Sequence, residues 1–175
     1  HQCNKAASKA MSVLGIIKRN FNHLNLESFK ILYNSYVRPH LEYCVQAWRP
    51  YLKKDIECLE KIQRRATKMV YCLKNFSYEV RLKMLGLGLY SLERRRLRGD
   101  LIETYKILNH KENISDKIFF KKSVTDHLRG HSFKLFKLRS RIDVRKFSFS
   151  QRIVDTWNRL PEQIVMAPSL DSFKN

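Results

Sequence analysis

Residues 53–73 have the sequence KKDIECLEKIQRRATKMVYCL, and this stretch decides the fold class. Apolar side chains recur in it at helical spacing: Ile56, Leu59, Ile62, Ala66 and Met69. Basic side chains form a second row at similar spacing: Lys61, Arg64, Arg65 and Lys68. Because residues three and four apart share one face of a helix, the stretch predicts a long helix. One face is expected in a core and the basic face at the surface.

Helical spacing also marks the residues before this stretch. A first helix is predicted from one apolar face: Ala6, Ala10, Val13, Leu14 and Ile17. Asn25 is expected to cap a second helix. The inward residues of that helix are Phe29, Leu32, Tyr33 and Tyr36. Pro39 lacks an amide hydrogen and restricts Arg38, so the helix should stop or kink there. It is expected to resume at Leu41 and to end at Pro50.

Two further helices are predicted after residue 73. Ser77 and Ser91 are each followed two residues later by glutamate, which is typical of a helix start. Gly86 is expected to end the first of these helices. The inward side of the second consists of Leu97, Leu101, Tyr105 and Leu108.

The C-terminal third has a different pattern. Residues 110–126 show weak periodicity and are predicted to form a linker. Apolar residues between 127 and 149 alternate with one slip, which predicts strands with a bulge. A final helix from Ser150 should bury Ile153, Val154 and Trp157. The predicted fold class is mainly α, with a helical bundle over 1–109 and a small, β-containing basic region over 127–175. That region is expected to be truncated at its end.

Charge is the strongest compositional signal. The chain has 35 Lys and Arg against 16 Asp and Glu, a formal net charge of +19 over 175 residues. A net charge of roughly 2–8 is sufficient for a small soluble domain. The excess costs self-repulsion, which a polyanion relieves. Binding at a membrane surface favours a single helix with one basic and one apolar face, whereas these basic residues are spread along the chain. The distribution favours nucleic acid as the partner and not a membrane.

Three groups of basic residues are the candidate phosphate contacts. The first is the row Lys61, Arg64, Arg65 and Lys68. The second lies at the start of a predicted helix: Arg94, Arg95, Arg96 and Arg98. The third lies among aromatic residues near the C-terminus: Arg129, Arg139, Arg141, Arg145 and Lys146. Arginine suits bidentate phosphate contacts, which position a duplex without reading its sequence. The regular first row is expected to contribute more binding per residue than the consecutive arginines of the second.

The sequence contains no catalytic or metal-binding motif. It has no Asp-Asp pair, no glycine-rich phosphate loop, no Gly-x-Ser-x-Gly and no His-Glu-x-x-His. Glu57 and Glu60 are interpreted as intrahelical partners of basic residues. The four cysteines are far apart, and His127 and His131 form an H-x-x-x-H in which Arg129-Gly130 lies between them and no acidic residue takes the place of the glutamate. The thiols are therefore expected to be buried, the protein to be intracellular, and this chain to hold no metal or cofactor.

Longer segments carry a family resemblance. They include Val37-Arg-Pro-His-Leu-Glu-Tyr-Cys44, Leu59-Glu-Lys-Ile-Gln-Arg-Arg-Ala66 and Leu92-Glu-Arg-Arg-Arg-Leu-Arg-Gly-Asp-Leu101. Shorter ones are Leu85-Gly-Leu87, Tyr105-Lys-Ile107, Arg129-Gly-His-Ser132, Ser150-Gln-Arg152, Trp157-Asn158 and Leu160-Pro161. Together they resemble the region after the catalytic palm in reverse transcriptases of non-LTR retrotransposons (LINE-like and jockey-like elements). The resemblance covers nearly the whole chain.

This resemblance implies the thumb and the region after it in an RNA-directed DNA polymerase. The expected partners are the RNA and DNA of the template/primer duplex and the palm domain of the same polyprotein. In that family the catalytic carboxylates, with their Tyr-x-Asp-Asp loop and Mg²⁺, belong to the palm, and this chain lacks that segment. The chain is therefore predicted to be inactive alone.

Two alternatives remain open at the level of sequence. The chain could be a free-standing basic protein, derived from such an element, that binds RNA or DNA. It could also be an interaction fragment whose charge only keeps it soluble. Failure to bind any polyanion at low salt would favour this last interpretation.

Overall fold

The computed structural model describes residues 2–86, 91–123 and 130–174. These residues are mostly helical with one small two-stranded sheet, which confirms the predicted fold class. The chain forms two compact units, His1–Arg96 and Leu97–Asn175. Within the described residues, no helix combines the length and apolar composition needed to cross a bilayer.

The first unit is built from helices packed around one core. Its helices are α1 (Gln2–Asn20), α2 (Leu26–Leu32), α3 (Arg38–Glu42), α4 (Val45–Trp48), α5 (Lys53–Thr67), α6 (Tyr78–Met84) and the first residues of α7 (Leu92–Leu108). The predicted stripes of α1 and α5 face each other in this core, where Ala10, Leu59 and Ala66 are fully buried. The predicted caps are also confirmed, since Asn25 Oδ1 accepts a hydrogen bond from the amide of Ser28.

A π turn at Tyr33–Val37 separates α2 from α3, and it corrects two predictions. The amide of Arg38 donates to the carbonyl of Tyr33, five residues earlier, so this turn is wider than an α-helical turn. One buried face therefore recurs every four residues: Phe29, Tyr33, Val37 and Leu41. Tyr36, predicted to point inward, is 59% exposed instead. Of the two outcomes predicted at Pro39, the stop is wrong, because helical structure continues to Glu42 and Pro39 lies in the first turn of α3, where its missing amide is tolerated. The kink stays a prediction.

Helix α5 ends at Thr67 rather than continuing to Leu73. Val70 leaves the helical path and forms an isolated parallel bridge with Leu24. The chain then makes a 3₁₀ turn at Tyr71–Leu73. Val70 and Leu73 are both buried, so the tertiary contacts of these two side chains override the helical periodicity of the sequence.

The second unit has a separate core around Trp157, which is fully buried as predicted. It contains the rest of α7, then α8 (Asp116–Phe119), β1 (Lys121–Lys122), β2 (Leu135–Phe136), α9 (Asp143–Lys146), α10 (Phe149–Arg152), α11 (Val154–Asn158), α12 (Glu162–Val165) and α13 (Leu170–Lys174). The indole nitrogen of Trp157 donates to the carbonyl of Phe133. The side-chain amide of Asn158 bonds both the N–H and the carbonyl of Leu135, which holds β2 against α11.

The strands predicted between 127 and 149 are largely absent from the described part of that segment. Only β2 lies within it, paired antiparallel with β1 in the register Lys121 to Phe136. The segment predicted as a linker, 110–126, thus contains both α8 and β1. Residues 143–146 are helical, and Asp143 lies in the first turn of α9, where a carboxylate favours the positive end of a helix.

Candidate nucleic-acid interface

A buried polar network fixes the inner face of α5. The hydroxyl of Tyr33 donates to Gln63 Oε1 at 2.7 Å, and Gln63 Nε2 donates to the hydroxyl of Tyr78 at 2.8 Å. That hydroxyl donates in turn to Glu60 Oε1 at 2.5 Å. Glu60 Oε2 accepts from the amide of Leu92, the first residue of α7. The network ties α5 to three other segments, so the rotation of α5 about its axis is determined.

Glu60 therefore corrects a prediction from sequence. It is only 7% exposed, and its partners are Tyr78 and Leu92 rather than a basic residue on its own helix. Burial, together with the hydrogen bond to Glu60, raises the pKa of Tyr78 well above its usual value. Burial likewise raises the pKa of Tyr33. A tyrosine is already protonated at neutral pH, so these shifts extend the pH range over which both phenols donate.

The outer face of α5 carries the first predicted group. All four of its side chains are exposed: Lys61, Arg64, Arg65 and Lys68. Lys68 follows the last residue of the helix but keeps helical backbone angles. The Arg64 guanidinium lies 5.1 Å from the centre of the Tyr78 ring. Within the described residues none of the four forms an ion pair, so their charges are available to an anion.

Two segments that contribute to the surface around this row contain no acidic residue. Neither residues 2–26 nor residues 61–78 include an Asp or a Glu. Helix α1 packs against α5 and contributes further exposed cations: Lys5, Lys9, Lys18 and Arg19. Clustered charges of one sign raise the local potential and attract a polyanion. From Lys61 onward the outer face of α5 is thus a cationic surface, and the exposed Glu57 lies one turn before it.

The arginines of α7 have different environments. Arg95 is paired with Glu42, with 3.0 Å between Arg95 Nε and Glu42 Oε1, and its side chain is 8% exposed. Glu42 also pairs with Arg38. Arg96 is 1% exposed, and its Nη2 donates to the carbonyl of Leu41 at 3.3 Å. Burial lowers the pKa of the Arg96 guanidinium. Neither side chain is placed to contact a phosphate at the surface.

The other two arginines of this group are exposed. Arg94 makes no side-chain ion pair with any described residue, and Arg98 donates to the backbone carbonyl of Lys174 at 2.7 Å. The second predicted group therefore presents two of its four cations at the surface. Consecutive residues on a helix point in different directions, which accounts for the split.

The third predicted group lies in the second unit. Arg129 and His127 are outside the described residues. The remaining members are all exposed: Arg139, Arg141, Arg145 and Lys146. Arg139 and Lys146 border a cleft of about 310 Å³. Among the aromatic residues of this segment, Phe149 belongs to the core, whereas Phe136 is 48% exposed with the Lys121 ammonium 5.3 Å from its ring centre.

In the part of the chain that the structure describes, histidine and cysteine side chains do not converge on a metal site. The described residues contain no group of three or more His, Cys, Asp or Glu side chains with the geometry to hold a metal ion. His131 is buried, and its Nε2 lies 3.1 Å from the carbonyl of Trp157. Cys3 is buried, and burial raises the pKa of its thiol. Cys44 and Cys72 are exposed, which corrects the expectation of buried thiols, since both lie in turns between helices.

Three residues near the row were missed by sequence reasoning. Lys18, Tyr71 and Lys74 border the same surface as Arg65 and Lys68. The absence of acidic residues from 2–26 and 61–78 is the sequence signal that could have found the two lysines.

Models of protein families, curated proteins and solved structures give no match to this chain. The resemblance to retrotransposon reverse transcriptases thus rests on the sequence segments quoted above.

Proposed function

We propose that this chain binds nucleic acid through the phosphate backbone, without a catalytic centre of its own. The observation that carries the proposal is the row Lys61, Arg64, Arg65 and Lys68, exposed on one face of α5 and free of ion pairs within the described residues. The buried partners of Glu60 and Gln63 hold this face outward. A rigid row of cations matches the regular spacing of phosphates along a strand.

The more specific part of the proposal is that the chain is the thumb-like part of an RNA-directed DNA polymerase from a non-LTR retrotransposon. There it would hold the template/primer duplex beside a palm that supplies the carboxylates and Mg²⁺. Its support is the set of resembling segments and a mostly helical fold. A free-standing RNA- or DNA-binding protein derived from such an element would use the same surface. An open reading frame with a Tyr-x-Asp-Asp palm directly upstream favours the polymerase, and an initiating Met favours the free-standing protein.

Salt dependence tests the phosphate contacts. With about 5–7 contacts, log K for duplex should fall against log salt with a slope of roughly −5 to −6. The measurement is a fluorescence-anisotropy titration at several salt concentrations with two duplexes of unrelated sequence. A slope near −1, or strong preference for one of the duplexes, would contradict phosphate-led binding.

Primer extension tests the absence of catalysis. The isolated chain should not extend an annealed primer with dNTPs and either Mg²⁺ or Mn²⁺, because its sequence has no Asp-Asp pair and, under this proposal, the catalytic carboxylates belong to the palm. Template-dependent incorporation by highly purified protein, abolished by replacing an acidic residue of this chain, would overturn this part of the proposal.

A further inference from the structure

A groove of about 580 Å³ lies between α1 and the end of α5. Its volume is within the range of ligand-binding clefts, roughly 300–1,000 Å³. The floor is apolar and includes Leu14, Leu24 and Met69. The bridge between Leu24 and Val70 holds the loop after α1 against the segment after α5, so both walls belong to packed parts of the first unit.

The rim of the groove is cationic. The basic residues that line it are Lys18, Arg65, Lys68 and Lys74, and none of the lining residues is acidic. Two of these cations belong to the exposed row of α5, so the groove opens directly beside the proposed backbone contacts. The row and the groove together therefore suit a ligand that has negative charge along its length.

Aromatic rings complete the groove. Tyr71 and Phe21 line it and are 78% and 43% exposed. Tyr71 lies in the 3₁₀ turn between two buried residues, Val70 and Leu73, which fix the backbone that presents its ring. The rings of His23 and Tyr71 form an edge-to-face pair, with 6.4 Å between centroids and 83° between planes. A tyrosine held at this exposure on a well-anchored turn offers a flat surface for stacking.

We infer that the groove takes one unpaired base of a single-stranded nucleic-acid segment, stacked on Tyr71 with its flanking phosphates on Lys68 and Lys74. This inference rests on the proposed backbone binding. Bases inside a duplex stack on each other, so their faces become available to a side chain only in a single strand or at a flipped-out nucleotide. Cations around an aromatic, apolar floor match the alternation of phosphate and base along such a strand. An acidic peptide would pair with the cations, but its carboxylates would not stack on the ring of Tyr71.

Three nucleic-acid ligands of equal length separate the contribution of base stacking from that of phosphate contacts. Each is about 12 nucleotides long, which is within the usual range of single-strand binding sites. They are oligothymidylate, an abasic oligodeoxyribonucleotide with the same number of phosphates, and a duplex. A poly-glutamate peptide of similar charge serves as the acidic-peptide ligand. Wild-type protein should bind oligothymidylate more tightly than the abasic strand, because only the former has bases.

The decisive variant is Tyr71→Ala, with Tyr71→Phe as the conservative replacement. Tyr71→Ala should lower the affinity for oligothymidylate about tenfold, the scale of one lost base stack. It should leave the affinities for duplex and for the abasic strand unchanged within about twofold. Tyr71→Phe should retain wild-type affinity, because stacking needs the ring and not the hydroxyl. Tyr43→Ala is the matched control, since Tyr43 is 79% exposed and borders a different groove on α1.

Each outcome decides between the two proposals. If wild-type protein binds none of the nucleic acids, both the proposed function and the groove assignment fail. If it binds all three with steep salt dependence but Tyr71→Ala has no effect on oligothymidylate, only the groove assignment fails. Equal losses for Tyr71→Ala and Tyr43→Ala also overturn it. So does tight binding of poly-glutamate that depends on Lys68 and Lys74 and exceeds the binding of oligothymidylate.

Discussion

Helices α5 and α7 each carry a group of four basic residues, and the structure uses the two groups differently. The cations of α5 are spaced three and four residues apart, and all four are exposed. The arginines of α7 are almost consecutive, and two of them are withdrawn from solvent. Arg95 pairs with Glu42, and Arg96 is buried. Equal charge in the sequence has thus become a free cationic row on one helix and a partly structural cluster on the other.

The difference teaches that spacing, rather than number, predicts the environment of a basic residue on a packed helix. Each residue turns the helix by about 100°, so three consecutive side chains cannot all avoid the packed side. A row at three and four residues stays on one face, where every member can remain solvated. Substitutions on the two helices should therefore affect different properties.

The largest expected effect concerns Asp100, a carboxylate on α7. Asp100 is fully buried, and Nε and Nη2 of Arg152 donate to its two oxygens, each at 2.9 Å. Arg152→Ala should lower the free energy of unfolding by roughly 3–5 kcal/mol, because the buried carboxylate loses its bidentate partner. Urea denaturation followed by circular dichroism measures this loss. Arg159→Ala, an exposed arginine of the same unit, is the control and should change stability by less than about 0.5 kcal/mol.

A loss below about 1 kcal/mol for Arg152→Ala, the size expected of an exposed pair, would break the comparison. It would mean that the buried pair of Asp100 and Arg152 contributes no more to the fold than a surface pair does.

Next in size is the contrast between two double variants. Arg64→Ala with Arg65→Ala should lower duplex affinity and reduce the salt slope by about 2, one for each lost contact. Stability should change little, because both side chains are exposed. Arg94→Ala with Arg95→Ala should weaken binding less but should destabilise the fold by roughly 1–3 kcal/mol, since Glu42 then loses one of its arginine partners. Salt titrations and thermal melts of both variants give the two readouts. Negligible binding losses in both would shift the proposed contacts to residues 139–146.

A smaller effect is expected at Arg96, where no described carboxylate lies within ion-pair distance. Arg96→Met keeps much of the buried volume and removes a desolvated charge, so stability should stay constant or rise by about 1 kcal/mol. Duplex affinity should remain within about twofold of wild type. Loss of binding in a folded Arg96→Met protein would show that this guanidinium reaches the ligand, which would contradict the structural role given to it here.

The smallest effect is expected at Gly99, within the arginine cluster of α7. A Cβ added at this position meets no atom within 4 Å, so Gly99→Ala should stabilise the helix by roughly 0.5–1 kcal/mol. Binding should not change, because the arginines of α7 contribute little of it. Gly130→Ala is the opposite control. Its φ of +111° and the distance of 3.1 Å between an added Cβ and a Lys134 side-chain carbon predict destabilisation. A fall in duplex affinity for Gly99→Ala would indicate that binding needs a flexible α7.

Local signals were sufficient to predict much of the helical framework. The stripe of α5 and the caps at Asn25 and Ser77 depend on neighbours within one or two helical turns, so the sequence alone reveals them. The π turn and the end of α5 depend on distant partners. Val70 leaves the helix because it pairs with Leu24, and no local pattern contains that information.

The candidate site shows the same division. The exposed row of α5 follows from its spacing, whereas burial of Glu60 depends on Tyr78 and on the amide of Leu92. The loss of Arg96 from the surface depends on Leu41, 55 residues away. Tyr71 was not predicted as a binding residue, because its exposure results from the early end of α5.

Helix α1 packs against α5 although α1 and residues 61–67, the C-terminal half of α5, contain Lys and Arg but neither Asp nor Glu. Positive charges on two packed helices repel each other, and dissolved ions screen this repulsion beyond about 10 Å at 0.1 M. We therefore expect added salt to raise the melting temperature of the first unit while it weakens the hold on a polyanion. A bound polyanion and added salt should thus both stabilise the folded first unit, but only added salt leaves its cationic surface unoccupied.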